Sequence, residues 1–483
     1  MISVGVVSYA SLEEIQRALK ARSLSCEELV QAYLSNIADN SVLNAFVDVY
    51  AEEAVKRAQN IDQRLREGSD KLLGPLFGAI LSLKDVIAHQ GHGLTAGSLM
   101  LHGYESVYSA TAVERLIEAD AIIIGRVNCD EFAMGSDNRT SHYGPVKNGI
   151  DPEYVPGGSS GGSAVSVQIN GCLASIGSDT GGSVRQPASF CGLTGFKPSY
   201  GRISRHGLIA YGSSFDQIGI IGRDLNDIHR IYSVMKGPDA HDATLVEHTE
   251  PLDTTRSGKL AYVREALEHP SLQPAIKDAF FAKLSRIESL GIEVEPVSFD
   301  LIDYLIPAYY VLTSAEASSN LSRYDGLRYG YRASDAASLD ETYTKTRTEG
   351  FGLEVKRRIL LGTFVLSVGY YDAYFAKAQK VRRLICDQMN DWMQKYDGML
   401  LPTTPGTAWK LGDHKKPVEI YLADVFSVLA NLAGAPAISI PLGVDVENLP
   451  FGIQMISGTF QEDKLFVYSD MIQQGGLDGS NKW

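Results

Sequence analysis

Lys84, Ser159 and Ser183 stand where their residue types can do chemistry together. Lys84 closes the apolar run Gly78-Ala79-Ile80-Leu81-Ser82-Leu83 and precedes Asp85. A lone lysine is ordinarily a solvated surface residue. At the end of a buried strand, loss of water lowers its pKa. Ser159 lies in a first glycine-serine loop, Gly157-Gly158-Ser159-Ser160-Gly161-Gly162. Ser183 ends a second, Gly177-Ser178-Asp179-Thr180-Gly181-Gly182-Ser183. The stretch from Pro156 to Ser183 holds eight glycines, seven serines and one charge, Asp179. That composition alone allows a flexible linker. The apolar residues within it argue for structure instead. Ser163 to Asn170 reads as a short helix ended by Gly171, and Cys172 to Ile176 as a strand. Glycine-rich loops beside a helix start and after a strand shape backbone for close approach to a ligand.

Other motifs carry less. Gly157 to Gly161 formally matches G-x-S-x-G, which would make Ser159 the nucleophile of an α/β-hydrolase. That elbow follows a buried strand, whereas Asp151-Pro152-Glu153-Tyr154-Val155-Pro156 precedes this one, and His414 is the only histidine beyond residue 269. His89-Gln90-Gly91-His92 fits the H-x-G-H of class I aminoacyl-tRNA synthetases and nucleotidyl transferases, without a KMSKS-like partner. As a metal pair it lacks a third ligand, so a structural or surface role is expected. Gly258-Lys259 is followed by Leu260, so no phosphate-cradling P-loop is present and no nucleotide site is expected in this chain.

The elements that position these residues alternate along the chain. Two short helices are expected over 11–39, with capping boxes at Ser11/Glu14 and Ser25/Glu28, and a charged helix from Ala51 to Glu67. Strands are expected at Phe77–Leu83, Ala121–Gly125, Leu173–Gly177, Lys259–Val263, Ile292–Val297, Met399–Pro402, Ala437–Pro441 and Gly452–Ile456. Strands interleaved with helices give an α/β fold with a largely parallel or mixed sheet. Residues 302–395 read as a mostly helical insertion or cap. With no repeat or linker, the chain reads as a single structural domain overall: residues 1–70 a helical segment packed on the core, 71–483 the main body.

The 483 residues carry 44 Lys+Arg against 58 Asp+Glu, a net charge of −14. That excludes a phosphate-binding surface spread over the whole molecule. The five cysteines are far apart with no CxxC, which fits reduced thiols rather than a zinc or redox pair. The first charged residue is Glu13, so a signal peptide's basic start is lacking. No apolar stretch approaches a membrane span, and a cytoplasmic protein is expected.

Gly157 to Ala164, then Ser178-Asp179-Thr180-Gly181-Gly182-Ser183-Val184-Arg185-Gln186-Pro187-Ala188, then Cys191 to Pro198, resemble the signature of the amidase signature family. The resemblance implies that family's fold, a central mixed twisted sheet covered by helices on both faces. It implies a catalytic Ser-Ser-Lys triad of Ser183 (nucleophile), Ser159 (relay) and Lys84 (base), with a cis peptide at Ser159. It also implies an oxyanion hole from the N–H groups of Thr180, Gly181, Gly182 and Ser183. The chemistry fits: a serine hydroxyl needs a base, and a serine between them can donate and accept at once. At its reference pKa only about one lysine in a few thousand is neutral at pH 7, so Lys84 must be buried to work.

Outside the signature, the chain resembles the A-subunit family of the tRNA-dependent amidotransferases. The stretches that carry this are Asp130 to Ser136, Tyr200 to Leu208, Ser314 to Gly326 and Glu354 to Phe364. This implies a glutaminase in which Tyr309, Arg358 and Asp424 hold glutamine, Arg358 on its carboxylate and Asp424 on its amino group, with the adjacent Arg357 an alternative to Arg358. It implies no metal or cofactor in this chain. ATP and Mg²⁺ would act on a partner that converts Glu-tRNA(Gln) to Gln-tRNA(Gln), within a heterotrimer with B and C subunits. The rival reading is a stand-alone amidase of the same family. An inactive scaffold is the other, opposed by the intact Lys84, Ser159 and Ser183. Asp137-Asn138-Arg139-Thr140 departs from the family's small and acidic residues, and that loop is expected to face the pocket or a partner.

Overall fold

The computed structural model describes residues 2–4, 7–68, 72–247 and 257–474. Its strands are β1 (Ile2–Val4), β2 (Val7–Tyr9), β3 (Phe46–Val49), β4 (Ile80–Lys84), β5 (Ile122–Val127), β6 (Ala174–Asp179), β7 (Thr194–Lys197), β8 (Gln217–Gly222), β9 (Lys259–Val263), β10 (Glu293–Val297), β11 (Gly398–Pro402), β12 (Ala437–Val444) and β13 (Pro450–Ile456). Strands β1 and β2 pair with each other. The other eleven form one sheet in the order β10-β9-β11-β13-β12-β7-β8-β6-β4-β5-β3. The sheet is mixed: β4 runs parallel to both β5 and β6, while β6 and β8 are antiparallel.

Strand alternation divides the core in two. Leu81, Leu83, Ile123, Ile218 and Ile220 belong to one cluster. Their neighbours Ile80, Ile122, Ile124 and Ile221 belong to the other. Successive side chains leave a strand on opposite faces, so an unbroken apolar run means both faces are covered. The second cluster is closed by helices Cys26–Asp39 and Ala51–Arg66 and by Gly161–Gln168, through Ala164, Val165 and Val167. Residue parity places Ser82 and Lys84 on the Ile80 side of β4, toward the Gly161–Gln168 helix and the loop before it. Ser82 Oγ meets Ser166 Oγ there at 3.1 Å.

Five strands depart from the sequence expectation. Strands β1, β2 and β3 lie inside the segment read as helical; β1 and β2 pair with each other and β3 with β5 at the sheet edge, so residues 1–70 supply strands as well as helices. Strands β7 and β8 are central, yet Thr194-Gly195-Phe196-Lys197 and Gln217-Ile218-Gly219-Ile220-Ile221-Gly222 are broken by glycines. Those glycines answer to tertiary neighbours: a Cβ on Gly219 would lie 2.6 Å from the Phe196 carbonyl oxygen. At Ser25 and Glu28 the capping box is complete. At Ser11 the hydroxyl accepts from the Glu14 N–H, but the Glu14 carboxylate reaches back to the N–H of Ala10 rather than Ser11. The 302–395 region holds helices Leu305–Asn320, Leu339–Gly350, Leu353–Val365 and Ala376–Met393. Among the described residues no helix is long and apolar enough to cross a membrane.

Candidate active site

Lys84, Ser159 and Ser183 come together at the ends of β4 and β6. Lys84 is fully buried, and its Nζ donates to Ser159 Oγ (2.7 Å), Ser178 Oγ (2.9 Å) and the Ser178 carbonyl (3.4 Å). Burial lowers its pKa to about 8, although Cys129, Asp130, Asp179 and Asp216 pull it upward. At that value about one lysine in ten is neutral at pH 7, several hundred times more than in water. The Gly158–Ser159 peptide is cis. Ser183 lies 9% exposed at the start of the Arg185–Phe190 helix, and its carbonyl accepts from the Ser160 N–H at 3.1 Å. Among the described residues Ser183 Oγ makes no hydrogen bond, so of the expected relay only the Ser159–Lys84 leg is a hydrogen bond here.

A buried ion pair fixes the loop carrying Ser183. Asp179 accepts from Arg185 Nη2 and Nε (both 3.0 Å), from Gly182 N–H (2.9 Å) and from Asn431 Nδ2 (3.0 Å). Burial alone would raise the Asp179 carboxyl; the Arg185 guanidinium holds it well below the usual range. Thr180 Oγ1 donates to Asp216 at 2.7 Å, and Asp216 also collects the N–H groups of Tyr211 and Gly212. Gly182 therefore departs from the expected oxyanion set, because its N–H is taken by Asp179. Among the described residues the N–H groups of Thr180, Gly181 and Ser183 have no acceptor. The glycines answer to crowding: a Cβ on Gly181 would sit 2.5 Å from Tyr309 Oη, and one on Gly182 (φ +127°) 2.1 Å from Ser427 Oγ.

Two further charged residues are buried in this region, Asp424 against Gly182 and Arg358 among tyrosines. Arg358, on Leu353–Val365, is 3% exposed and lies among the rings of Tyr211, Tyr310 and Tyr421 at 5.3, 5.0 and 5.6 Å. Its Nε donates to Glu354 Oε1 (2.9 Å) and its Nη1 to Tyr211 Oη (2.7 Å). Nη2 has no partner among the described residues. Asp424 accepts from Ser136 Oγ at 2.7 Å through Oδ2. Its Oδ1 has no partner among the described residues and lies 3.7 Å from where a Gly182 Cβ would stand. Burial raises the Asp424 carboxyl to about 7, against the pull of Ser136 and Arg358. Tyr309 is buried against Gly181. Between the two arginines left open, the structure puts Arg358 inside, whereas the Arg357 side chain is 42% exposed and paired with Glu354.

The weaker motifs resolve structurally. Ser159 has no strand before it and contacts lysine rather than histidine. His89 and His92 stack at 4.1 Å beside Tyr50, and His92 Nε2 lies 3.0 Å from Glu53. The Asp137–Thr140 loop is tied inward: Arg139 bonds Asp137 and the carbonyls of Leu411 and Asp413, while Asp130 accepts from the N–H groups of Asn138 and Thr140. Sequence reasoning passed over Ser178, Asp216, Tyr211, Glu354, Ser136 and Ser427. Ser178, Ser136 and Glu354 lay inside the stretches that carry the resemblance; Asp216, Tyr211 and Ser427 gave no local signal.

Residues 28–466 match the family model described as Amidase. The chain belongs to the amidase family. Among its relatives, the A subunit of glutamyl-tRNA(Gln) amidotransferase from Chlorobium phaeobacteroides strain BS1 is 46% identical over 473 residues, 96% of this chain and 99% of that one. Its counterpart from Pelodictyon phaeoclathratiforme is 47% identical over 475 residues, 97% and 100% of the two chains. The crystal structure of the A subunit of glutamyl-tRNA(Gln) amidotransferase from Thermotoga maritima superposes with a TM-score of 0.77 at 38% identity, covering 96% of this chain and 94% of that one. An amidase crystal structure superposes at 0.81 with 28% identity, covering 96% and 99%. The α/β architecture with its eleven-stranded mixed sheet is thus an amidase fold. In this amidase the Gly-Ser loops are backbone built around a buried lysine, not a linker.

Proposed function

We propose that this amidase is the glutamine-hydrolysing A subunit of a glutamyl-tRNA(Gln) amidotransferase. The observation that carries the reading is a pair of half-satisfied buried charged groups, Asp424 against Gly182 and Arg358 close enough to pull on the Asp424 carboxyl. Arg358 Nη2 and Asp424 Oδ1 lack protein partners among the described residues. A buried polar atom left without a partner is costly, so a ligand bearing a carboxylate and an ammonium suits them. Free glutamine has both, and the two charges leave its side-chain amide to reach Ser183. The 46% identity to A-subunit relatives along nearly the whole chain supports the same substrate.

In this mechanism Ser183 Oγ attacks the amide carbon. Its proton passes to Ser159 Oγ as the Ser159 proton passes to neutral Lys84. The free N–H groups of Thr180, Gly181 and Ser183 are the donors available to the developing oxyanion. The C–N bond then breaks, the proton returns through Ser159 to the nitrogen, and ammonia leaves. Water cleaves the γ-glutamyl ester on Ser183 by the same route, giving glutamate. Ammonia would pass to a B subunit that uses ATP and Mg²⁺ to amidate Glu-tRNA(Gln), in a cytoplasmic heterotrimer with a C subunit. The net charge of −14 fits a tRNA held mainly by that partner.

The deciding measurement is ammonia release from glutamine against a panel of simple amides, with the chain alone and co-expressed with candidate B and C subunits. Glutamine-selective release that rises with the partners and Glu-tRNA is expected. Partner-free hydrolysis of simple amides with glutamine ignored would make it a stand-alone amidase.

A further inference from the structure

Arg358 can read a carboxylate only if its helix is held in register with the Ser159 and Ser183 loops. That helix, Leu353–Val365, begins at Gly352, and its first N–H groups have no partners within the helix. A carboxylate from a distant part of the chain meets the N–H of Gly352, the residue that caps this start. Glu131, 3% exposed, accepts from the Gly352 N–H through both oxygens, at 2.8 and 3.1 Å. Its Oε1 also accepts from Ser98 Oγ at 2.5 Å. Glycine is required at the contact: a Cβ on Gly352 would lie 2.3 Å from Glu131 Oε2. An anion at a helix N-terminus is also favoured by the helix dipole.

The preceding residue faces the other half of the site. Asp130 accepts from Asn138 N–H (2.9 Å) and Thr140 Oγ1 (2.8 Å), and its own N–H donates to the Ser159 carbonyl (3.1 Å). A Cβ on Gly158 would lie 2.2 Å from Asp130 Oδ2, so this carboxylate lies directly against the Ser159 loop. Adjacent residues thus hold the Ser159 loop through a backbone N–H and the start of the Arg358 helix through a side chain. Phe132 and Ala133 follow with φ of +50° and +59°, a backbone conformation that costs energy outside glycine and persists where the surroundings demand it.

We infer that Glu131 is a positioning residue for substrate recognition: by capping the helix that carries Arg358, it sets that guanidinium's place relative to the Ser159 and Ser183 loops. The inference rests on the glutaminase reading, and it assigns Glu131 no contact with substrate.

The test is steady-state glutamine hydrolysis by the full chain co-expressed with its candidate partners, for wild type, Glu131→Ala, Glu131→Gln and Gly352→Ala. The rate of inactivation by phenylmethanesulfonyl fluoride is measured alongside. That reagent engages the nucleophile and has no carboxylate for Arg358. Glu131→Ala is expected to raise the glutamine KM by about fivefold to tenfold while kcat changes less than about threefold. Gly352→Ala, which forces the pair apart, is expected to do the same. Glu131→Gln, which keeps an acceptor for the Gly352 N–H, recovers most of the loss. Inactivation rates stay within about twofold of wild type in all three, since the serine loops are untouched. Parallel losses in kcat, KM and inactivation rate would mean a merely structural role, and an unchanged KM would mean none; either overturns the inference. A wild-type complex that ignores glutamine but hydrolyses other amides refutes the glutaminase reading instead.

Discussion

Lys84 is buried beside Ser159, and both its chemistry and its pH behaviour follow from that burial. A lysine that titrates near 8 acts as a base only when neutral. The rate of glutamine hydrolysis should therefore rise with pH and level off above about 8. A rate already flat between pH 6 and 9 would require another base. Lys84→Ala should cost at least about a hundredfold in kcat, and Lys84→Arg should not recover it, because a guanidinium does not give up its proton. Ser183→Ala should abolish ammonia release while leaving the complex intact on gel filtration, since its hydroxyl makes no structural hydrogen bond among the described residues. For substrate recognition, Arg358→Ala should raise the glutamine KM at least about tenfold, and Arg357→Ala should leave it within about twofold. The reverse ranking would move the carboxylate site to the exposed arginine. These residues were legible because the family's motif quotes them directly. The choice between Arg357 and Arg358 was not, because neighbours on a helix point about 100° apart and only packing decides which one is inside.

Elements place the groups that residue types alone cannot. The second glycine-serine loop is held by two adjacent residues, Asp179 through Arg185 and Thr180 through Asp216. Gly182 shows how the loop fits its surroundings: at φ +127°, with Ser427 Oγ where a Cβ would go, it accepts no side chain. Gly182→Ala should lower stability by about 1–3 kcal/mol and reduce activity. Adding Ser427→Gly should restore only the part due to collision, read as a partial recovery in thermal midpoint. If Gly182→Ala folds and hydrolyses glutamine like wild type, the loop is looser than its contacts indicate. The sequence expectation placed Gly182 in the oxyanion set because four successive N–H groups look alike in sequence. Only the fold shows that one of them caps a carboxylate.

At the scale of the molecule, Arg185 ties distant parts of the chain. From beside Ser183 it reaches Asp179 at the end of β6, the Ser427 carbonyl, Asn431 Oδ1 and Gln454 Oε1 on β13. Removing one member of such a buried pair leaves the other uncompensated. Arg185→Met should destabilise the protein by about 3–5 kcal/mol in urea unfolding, and Asp179→Asn combined with it should be milder than the sum. Additive losses would show that the two residues do not act as a pair. Strand alternation puts Lys84 on the face covered by the Gly161–Gln168 helix, and the helical 302–395 region brings Tyr309 against Gly181 from more than a hundred positions away.

By itself the sequence determined the α/β class, most of the strands, the Lys84, Ser159 and Ser183 constellation, and the family. These follow from local periodicity and from a motif dense enough to be read without a structure. Only the tertiary structure decided that β3, β7 and β8 are strands, since their pairing comes from neighbours far along the chain: β7 and β8 are broken by glycines, and β3 is four residues long in a stretch read as helical. It alone decided that Arg358 is the inner arginine, that Gly182 gives its N–H to Asp179, and that Glu131 caps the helix carrying Arg358. Burial, hydrogen-bond direction and helix capping are properties of what surrounds a residue, and the surroundings are assembled by the fold.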